Sequence, residues 1–440
     1  MTAALLGAFD VVVVGSGSAG SPASIAAART GARTLLLEKL PFLGGNSTAV
    51  LDTFYGFWTP GERPRKVVSG IADDVVAELR RLGPVVERPN TYGAGTGVTY
   101  LAEHLKVAWE RLVLDAGVTV LLHAFVQDVE VHDGRVTALL VATKAGLRRV
   151  EGSTFIDASG DADVCAFAGF GFERAGEFAP AQTLTTTFRM SGVDVARRKT
   201  IDKSGLHALM AQAAESGDYA LPRREGSDHI TPTPGVMATV MTRVTPELRD
   251  GDLVVNATDP DVLTAAEVEG RRQALEYARF LTDRVPGYET ASLIGLSTQI
   301  GLRETRRVFG DVRLDRDDVL SARQFDDQIG LCGAPIEDHH GGAGEGTTWE
   351  YLPEGSAVGI PLGSLVVRDS TNTLVAGRCF SATHSAQASI RSMAQCMAMG
   401  QAAGTAAALA ARSGGDVRAV APAVLRDRLR RDGATLEVGA

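Results

Sequence analysis

The chain has 440 residues, 45% of them apolar and 22% charged, and carries a formal net charge of −9. This length fits two or three domains with buried cores, and the composition is that of an ordinary globular protein rather than a disordered one. The acidic balance, with no long basic run, excludes nucleic acid as a partner, because backbone recognition rests on Lys and Arg neutralising phosphates. Cys165, Cys332, Cys379 and Cys396 are scattered without a C-x-x-C, which argues against zinc or a redox dithiol and for buried thiols in a reducing cytoplasm. No basic segment precedes the first apolar run, so neither a signal peptide nor a location outside the cytoplasm is expected.

Residues 10–20, DVVVVGSGSAG, read as strand, tight turn and helix start. Gly15 permits the turn, Gly17 lets a pyrophosphate approach the backbone, and Gly20 lets the helix pack close to the strand; Ser18 and Ala19 complete the loop. An Ala-rich helix stops near Gly31, and a second strand ends at Glu38, about twenty residues beyond the glycines, where a carboxylate can accept hydrogen bonds from a ribose. Glycines, helix, second strand and terminal acid together form a dinucleotide-binding βαβ unit. Lys39 follows, and then Gly44, Gly45, Asn46, Ser47 and Thr48, a turn whose paired glycines again permit close backbone approach.

These motifs resemble the FAD-dependent oxidoreductases of the two-dinucleotide-binding flavoproteins, a broad group that includes fumarate reductase-like and glucose-inhibited-division-like members. The resemblance implies that Gly15, Gly17, Ser18, Ala19, Gly20, Glu38, Lys39 and the 44–48 loop line FAD.

Residues 51–98 are rich in Pro, Gly and aromatics and contain one helix from about Ser69 to Leu82. Tyr55 and its aromatic neighbours suit either a flavin or substrate wall or ordinary core. Helical spacing recurs from about Thr99 to Ala116, a parallel strand follows at 118–122, and a β-meander runs through 125–132 and 135–143 into the strand before Asp157. In the flavoprotein group a similar A-[ST]-G-D returns the chain to the cofactor, which puts Ser159, Gly160 and Asp161 near FAD; Asp161 is also a candidate helix cap.

From about Gly169 to Val367 the dinucleotide signature is absent, and this stretch is the candidate substrate or cap domain, with an amphipathic helix over 267–285. One family branch carries a segment similar to GLRETRR at 301–307. A helix there would set Arg303 and Arg307 on one face, either to clamp a carboxylate or to pair structurally with Glu304 and nearby Asp. The branch also has a P-I-D-x-H segment, onto which Pro335, Ile336, Glu337 and His339 map. A His with nearby carboxylates in a loop suits a general base tuned near neutral pH, with His339 or His340 as candidates; no metal is expected, since no metal-ligand spacing is present.

At the C-terminus, the family resemblance maps Gly377, Arg378, Ser389 and Arg391 onto the strand and helix that complete the FAD site, where a helix dipole or Arg offsets charge on reduced flavin. Residues 392–411 lack charge and contain a G-x-x-x-G, but their small residues fit a helix buried in a globular domain better than a membrane span.

The expected fold is α/β. A Rossmann-like FAD-binding domain, a parallel sheet with a β-meander, is assembled from residues 1–50, 99–168 and 368–412. An inserted α+β substrate or cap domain comprises 51–98 and 169–367, and 413–440 form a peripheral tail. The expected activity is hydride transfer between an organic small molecule and flavin N5 of non-covalent FAD, with His339, His340, Arg303, Arg391 and Tyr55 as catalytic candidates. No second G-x-G-x-x-G stands in strand context, so no NAD(P)H domain is expected, and oxygen or a redox partner protein would take the electrons. A flavin monooxygenase and a non-enzymatic electron-transfer subunit are the alternatives; oligomeric state and substrate stay open.

Overall fold

The computed structural model describes residues 3–88, 97–250, 253–339 and 346–438. Its largest sheet runs in the order 119–121, 34–37, 4–14, 146–157, 135–143 and 125–132, with 373–375 also pairing with 146–157. The first strand, Ala4–Val14, is parallel to Thr34–Leu37 and to Gly146–Asp157, with Val11 opposite Thr34 and Val14 opposite Asp157. Gly146–Asp157 joins two architectures: its start is antiparallel to the meander strand Arg135–Thr143, and its end is parallel to the C-terminal strand Thr373–Val375. Val11, Val12, Leu35, Leu36 and Ile156 are fully buried, as a parallel sheet covered on both faces requires.

One face is covered by the helix Gly20–Arg29 and the long helix Met393–Ala411. Glycine makes that contact possible: a Cβ on Gly400 would lie 2.0 Å from Ala19 O, and one on Gly404 would lie 2.0 Å from Ala23 O. The uncharged 393–411 helix is thus a buried element of the α/β domain, and among the described residues no helix is long and apolar enough to cross a membrane.

The same core takes in Phe54, Phe57, Val68, Val75 and Leu79 from the segment that composition assigned to the cap, together with Leu314, Ile329, Leu331 and Ile360. The helix Ile71–Leu82 buries Ile71, Val75 and Leu79 against Ala102–Asp115 and the long C-terminal helix. Residues after 413 pack against the domain through a few apolar side chains while most of the others stay exposed. The helix Pro422–Arg431 buries Leu425 and Leu429, a four-residue spacing that aligns them on one face, and Leu436 is buried beyond it.

A separate core lies under an antiparallel sheet, ordered Ser227–Ile230, Met237–Val240, Phe188–Ser191, Ser292–Leu296, covered by helices Lys203–Ser216 and Pro260–Arg284. Phe188, Met210, Tyr277, Phe280 and Tyr288 fill it. Residues 298–305 are not helical. Gly301 bridges Thr185, Thr298 N–H donates to Ala49 O, and the chain enters a short strand at Arg306–Val308. Backbone pairing across this junction overrides the helical spacing of the arginines.

Candidate active site

The N-terminal loop has the shape that a dinucleotide requires. Gly15 has φ +89°, and a Cβ there would lie 2.4 Å from Ala158 O; one on Gly20 would lie 1.7 Å from Gly15 O. These two glycines are forced by packing. Gly17 is different, since a Cβ there meets nothing within 4 Å and so projects into open space. No side chain caps the helix beginning at Gly20, which leaves its N-terminal N–H groups for an anion. Glu38, buried at the end of its strand, accepts from Ser16 N–H at 2.8 Å, Ser16 Oγ at 2.5 Å and Leu40 N–H at 2.8 Å. The second glycine loop closes on the first: Gly44 N–H donates to Ser16 O, and a Cβ on Gly45 would lie 2.9 Å from Gly17 Cα. Within it, Ser47 Oγ donates to Gly44 O, Thr48 Oγ1 to Leu43 O and Asn46 Nδ2 to Leu302 O.

Asp161 is the hub of an ionic cluster rather than a helix cap. Its Oδ1 accepts from Arg378 Nη2 at 2.6 Å and Thr305 Oγ1 at 2.8 Å, and Lys39 Nζ lies 3.9 Å from Oδ2. Burial alone would raise this carboxyl, but Arg378 and Lys39 hold it below the usual range. Arg378 Nη1 is buried with no acceptor, which suits an anionic group beside it. Ser159 Oγ donates to Asp157 and accepts from Asp163 N–H, while Gly160 and Gly377 sit at φ +80° and +90°. Ser389 is fully buried, and its hydroxyl donates to Ala334 O at 2.6 Å.

A second group of side chains gathers where the 300s loop, the strand Ile336–His339 and the turn at Arg391 converge. Arg303 Nη1 donates to Thr183 O and, at 2.9 Å, to Thr185 Oγ1. Arg391 Nη2 donates to Gln182 Oε1 at 2.9 Å and Glu337 O at 3.2 Å, and its Nε is buried without an acceptor. Both arginines are part accessible, yet burial lowers both below the ordinary range, Arg303 well below, with Arg391 as its next cause. Water reaches these side chains although protein surrounds them, which defines a partly open region, here the cleft. Glu337 belongs to it, with 34% of its side chain accessible and Oε1 3.0 Å from His339 Nε2. Burial would raise Glu337, but His339, Arg391 and Arg303 draw it down to about 2.

His339 lies in a strand, not a loop, and is not tuned near neutrality. Burial first, then Arg303, push it down to about 3 against the pull of Glu337, so its imidazole is neutral at pH 7. His340 lies outside the described residues. His384 takes the opposite charge state. Its ring bridges Glu304 Oε1 and Asp338 Oδ2, both at 3.0 Å, and these carboxylates outweigh burial to raise it to about 9. Glu304 also holds Arg307, which makes Arg307 structural rather than a second clamp with Arg303.

Tyr55 Oη accepts from Arg88 at 3.2 Å. Near it is a buried pair with no signal in local sequence: His229 Nε2 stands 2.8 Å from Asp52 Oδ1, with Arg189 3.9 Å from the other oxygen. Asp52 follows the second glycine loop and His229 belongs to the cap sheet, so only the fold brings them together. Arg223, Glu225, Arg243 and Thr347 were likewise invisible as site residues. Arg243 pairs with Glu225, with Arg223 Nε 3.7 Å from the same carboxylate.

The sequence is 43% identical over 58 residues to a fumarate reductase (cytochrome) of Shewanella frigidimarina, a match spanning 13% of this chain and about a tenth, 10%, of that protein. In structure it resembles a geranylgeranyl bacteriochlorophyll reductase-like protein from Thermoplasma acidophilum (TM-score 0.47, 16% identity, 96% of this chain and 82% of that one). It also resembles the flavin-dependent brominase Bmp2 (TM-score 0.50, 15% identity, 96% and 84%), a likeness that shows the fold alone. A family model described as FAD dependent oxidoreductase matches residues 10–429. Open space at Gly17, an uncapped helix start and a buried acid ending the second strand supply what an adenine dinucleotide needs, and with that full-length match the chain belongs to the FAD dependent oxidoreductases, with FAD as its cofactor.

Proposed function

We propose that this enzyme oxidises or reduces an anionic organic small molecule, held in the cleft by Arg303 and Arg391. The observation that carries the reading is that neither guanidinium has a carboxylate within 4.0 Å among the described residues, although both sit where desolvation strains a positive charge. Arginine stays protonated under such strain and gains from a planar anion that fills its free N–H positions. FAD, when bound, supplies a hydride acceptor or donor at N5. The protein orients the substrate: Thr183 and Thr185 fix Arg303, while Gln182 and the Glu337 carbonyl fix Arg391. Glu337, ionised and facing the cleft beside neutral His339, is placed to exchange a proton with a substrate O–H or N–H; Tyr55 and His340 remain candidates for contacts on the same substrate.

In this reading the FAD-binding unit comprises residues 3–88, 97–168, 306–339 and 346–438, and 169–250 with 253–305 form the cap. The FAD is non-covalent, because the nucleophiles closest in sequence to the C-terminal flavin motif are occupied. His384 is held by two carboxylates, and Cys379 is fully buried with Sγ at Asp157 O. In the same reading, oxygen or a protein acceptor closes the cycle.

The test is anaerobic bleaching of the FAD band across a panel of organic acids and matched neutral analogues. Bleaching by an acid and not by its neutral analogue is expected. Rapid bleaching by NADPH with no acid active would replace this reading with a monooxygenase, and yellow colour retained in a washed acid precipitate would refute non-covalent binding.

A further inference from the structure

Glu337 is one end of a hydrogen-bonded chain that leaves the cleft. His339 and Thr347 are directly opposed in the hairpin formed by strands Ile336–His339 and Thr347–Glu350. Glu337 Oε1 lies 3.0 Å from His339 Nε2, His339 Nδ1 3.1 Å from Thr347 Oγ1, and Thr347 Oγ1 3.1 Å from Glu225 Oε1. The His339 side chain is buried, 6% accessible, whereas Thr347 is half-buried and Glu225 is 28% accessible, with its other oxygen adjoining the exposed Gly346. The chain therefore starts at the cleft, passes through the buried His339 ring and reaches solvent at Thr347 and Glu225.

Three contacts require three bridging hydrogens. A neutral imidazole brings one, the threonine hydroxyl brings one, and two carboxylates bring none. One additional proton completes the set, and it does so at any of three places. On Glu337, the carboxyl donates to Nε2, Nδ1–H to Thr347 and the hydroxyl to Glu225. On the ring, both N–H groups donate outward. On Glu225, the carboxyl donates to Thr347, its hydroxyl to Nδ1, and Nε2–H to Glu337. All three states have the same heavy-atom positions and differ only in which side of each contact holds the hydrogen.

We propose that Glu337, His339, Thr347 and Glu225 form a proton relay between the cleft and solvent, with Thr347 and Glu225 as residues that act through His339 rather than on the substrate. A proton released to Glu337 leaves as a proton from Glu225, with no electron moved and no heavy atom displaced. Each passage leaves the imidazole in the other tautomer, which is restored before the next. The low affinity of His339 for a second proton keeps the relay from storing the charge it conducts. Arg303 and Arg391 face its inner end, where with His339 they hold Glu337 ionised, and Arg243 pairs with Glu225 at its outer end.

The relay rests on the proposed proton exchange at Glu337, and two measurements on the FAD-loaded enzyme separate the claims. The first needs no substrate. Ring 15N shifts of His339, assigned by their loss in His339→Gln, are compared in the parent, Glu225→Gln, Thr347→Val and the double variant. Glu225 does not touch the ring, yet Glu225→Gln is expected to move the Nδ1 shift in the parent background and to have no effect once Thr347 is Val. An unmoved shift in Glu225→Gln overturns the relay.

The second measurement follows proton release with an indicator dye beside flavin bleaching by an active acid. In Thr347→Val, release is expected to lag bleaching by about 10²-fold, the scale of a lost proton-transfer group, and Thr347→Ser is expected to restore it. Release in step with bleaching in Thr347→Val overturns the relay. If no organic acid bleaches the parent, the function has failed, and the 15N comparison decides the relay by itself.

Discussion

Arg303 and Arg391 differ from the other deep arginines in what they lack. Arg198 and Arg307 each hold a carboxylate partner, at 2.7 Å and 2.6 Å, and their charges are neutralised within the protein. Arg303 and Arg391 spend their donors on carbonyl, amide and hydroxyl oxygens, which leaves charge for a ligand. Replacing either by Gln keeps the polar surface and removes the charge. Each replacement is expected to slow acid-driven flavin reduction about ten- to hundred-fold, the worth of one charged hydrogen bond, with FAD content unchanged. A variant that is reduced at the parental rate would remove that arginine from the site. The cysteines make an opposite case at the same scale. All four are buried, and burial raises each thiol above its ordinary range, Cys332 to about 11 and Cys396 to about 12. A thiol reagent is expected to label none in the folded protein and all four in denaturant; rapid labelling of any one at neutral pH would contradict its placement.

At the scale of elements, two glycine contacts that look alike in sequence have different duties. Gly404 is fixed by packing, because its Cβ would lie 2.0 Å from a backbone oxygen of the facing helix, whereas Gly17 faces open space and has a φ outside the left-handed region. Gly404→Ala is expected to cost about 1–3 kcal/mol in denaturant melts, since two helices must part to admit one methyl. Gly17→Val is expected to leave the stability of the FAD-free protein unchanged and to weaken FAD binding, because only the cofactor competes for that space. Equal FAD content in parent and Gly17→Val would misplace the pyrophosphate.

The contrast shows what the sequence makes legible. The dinucleotide unit is contiguous, so glycines, strand and acid can be read within thirty residues, and the meander and the buried C-terminal helix follow from local pattern. The 298–307 segment could not be read this way, because its backbone pairs with Thr185 and Ala49 far upstream. The Asp52–His229 pair joins residues 177 positions apart, and Thr347–Glu225 joins residues 122 apart. Spacing carries no trace of such contacts. His339 was visible as a titratable group, but not its charge state, which depends on burial and on Arg303, a neighbour only in the fold.

For the whole molecule, two histidines set opposite limits on stability with pH. The folded state holds His339 down to about 3, against an ordinary 6.5. Unfolding lets it take a proton below 6.5, so its contribution is complete above that pH and is lost as pH falls from 6.5 toward 3. Glu337, held down to about 2, adds to the acid side, where its contribution is lost as pH falls from about 4.5 through 2. The folded state raises His384 to about 9. Its contribution is complete below 6.5 and is lost as pH rises through 9, because Glu304 and Asp338 then face a neutral ring across the junction of three segments. Stability is therefore expected to peak near pH 6.5 and to fall on both flanks. The histidines can be separated by substitution: His384→Gln should flatten the alkaline flank between pH 6.5 and 9 and leave the acid flank standing, while His339→Gln should do the reverse between 6.5 and about 4.5, above the range in which Glu337 titrates in the unfolded chain. Denaturant midpoints measured across that range in parent and both variants check the assignment, and an alkaline flank that survives in His384→Gln would place its origin elsewhere.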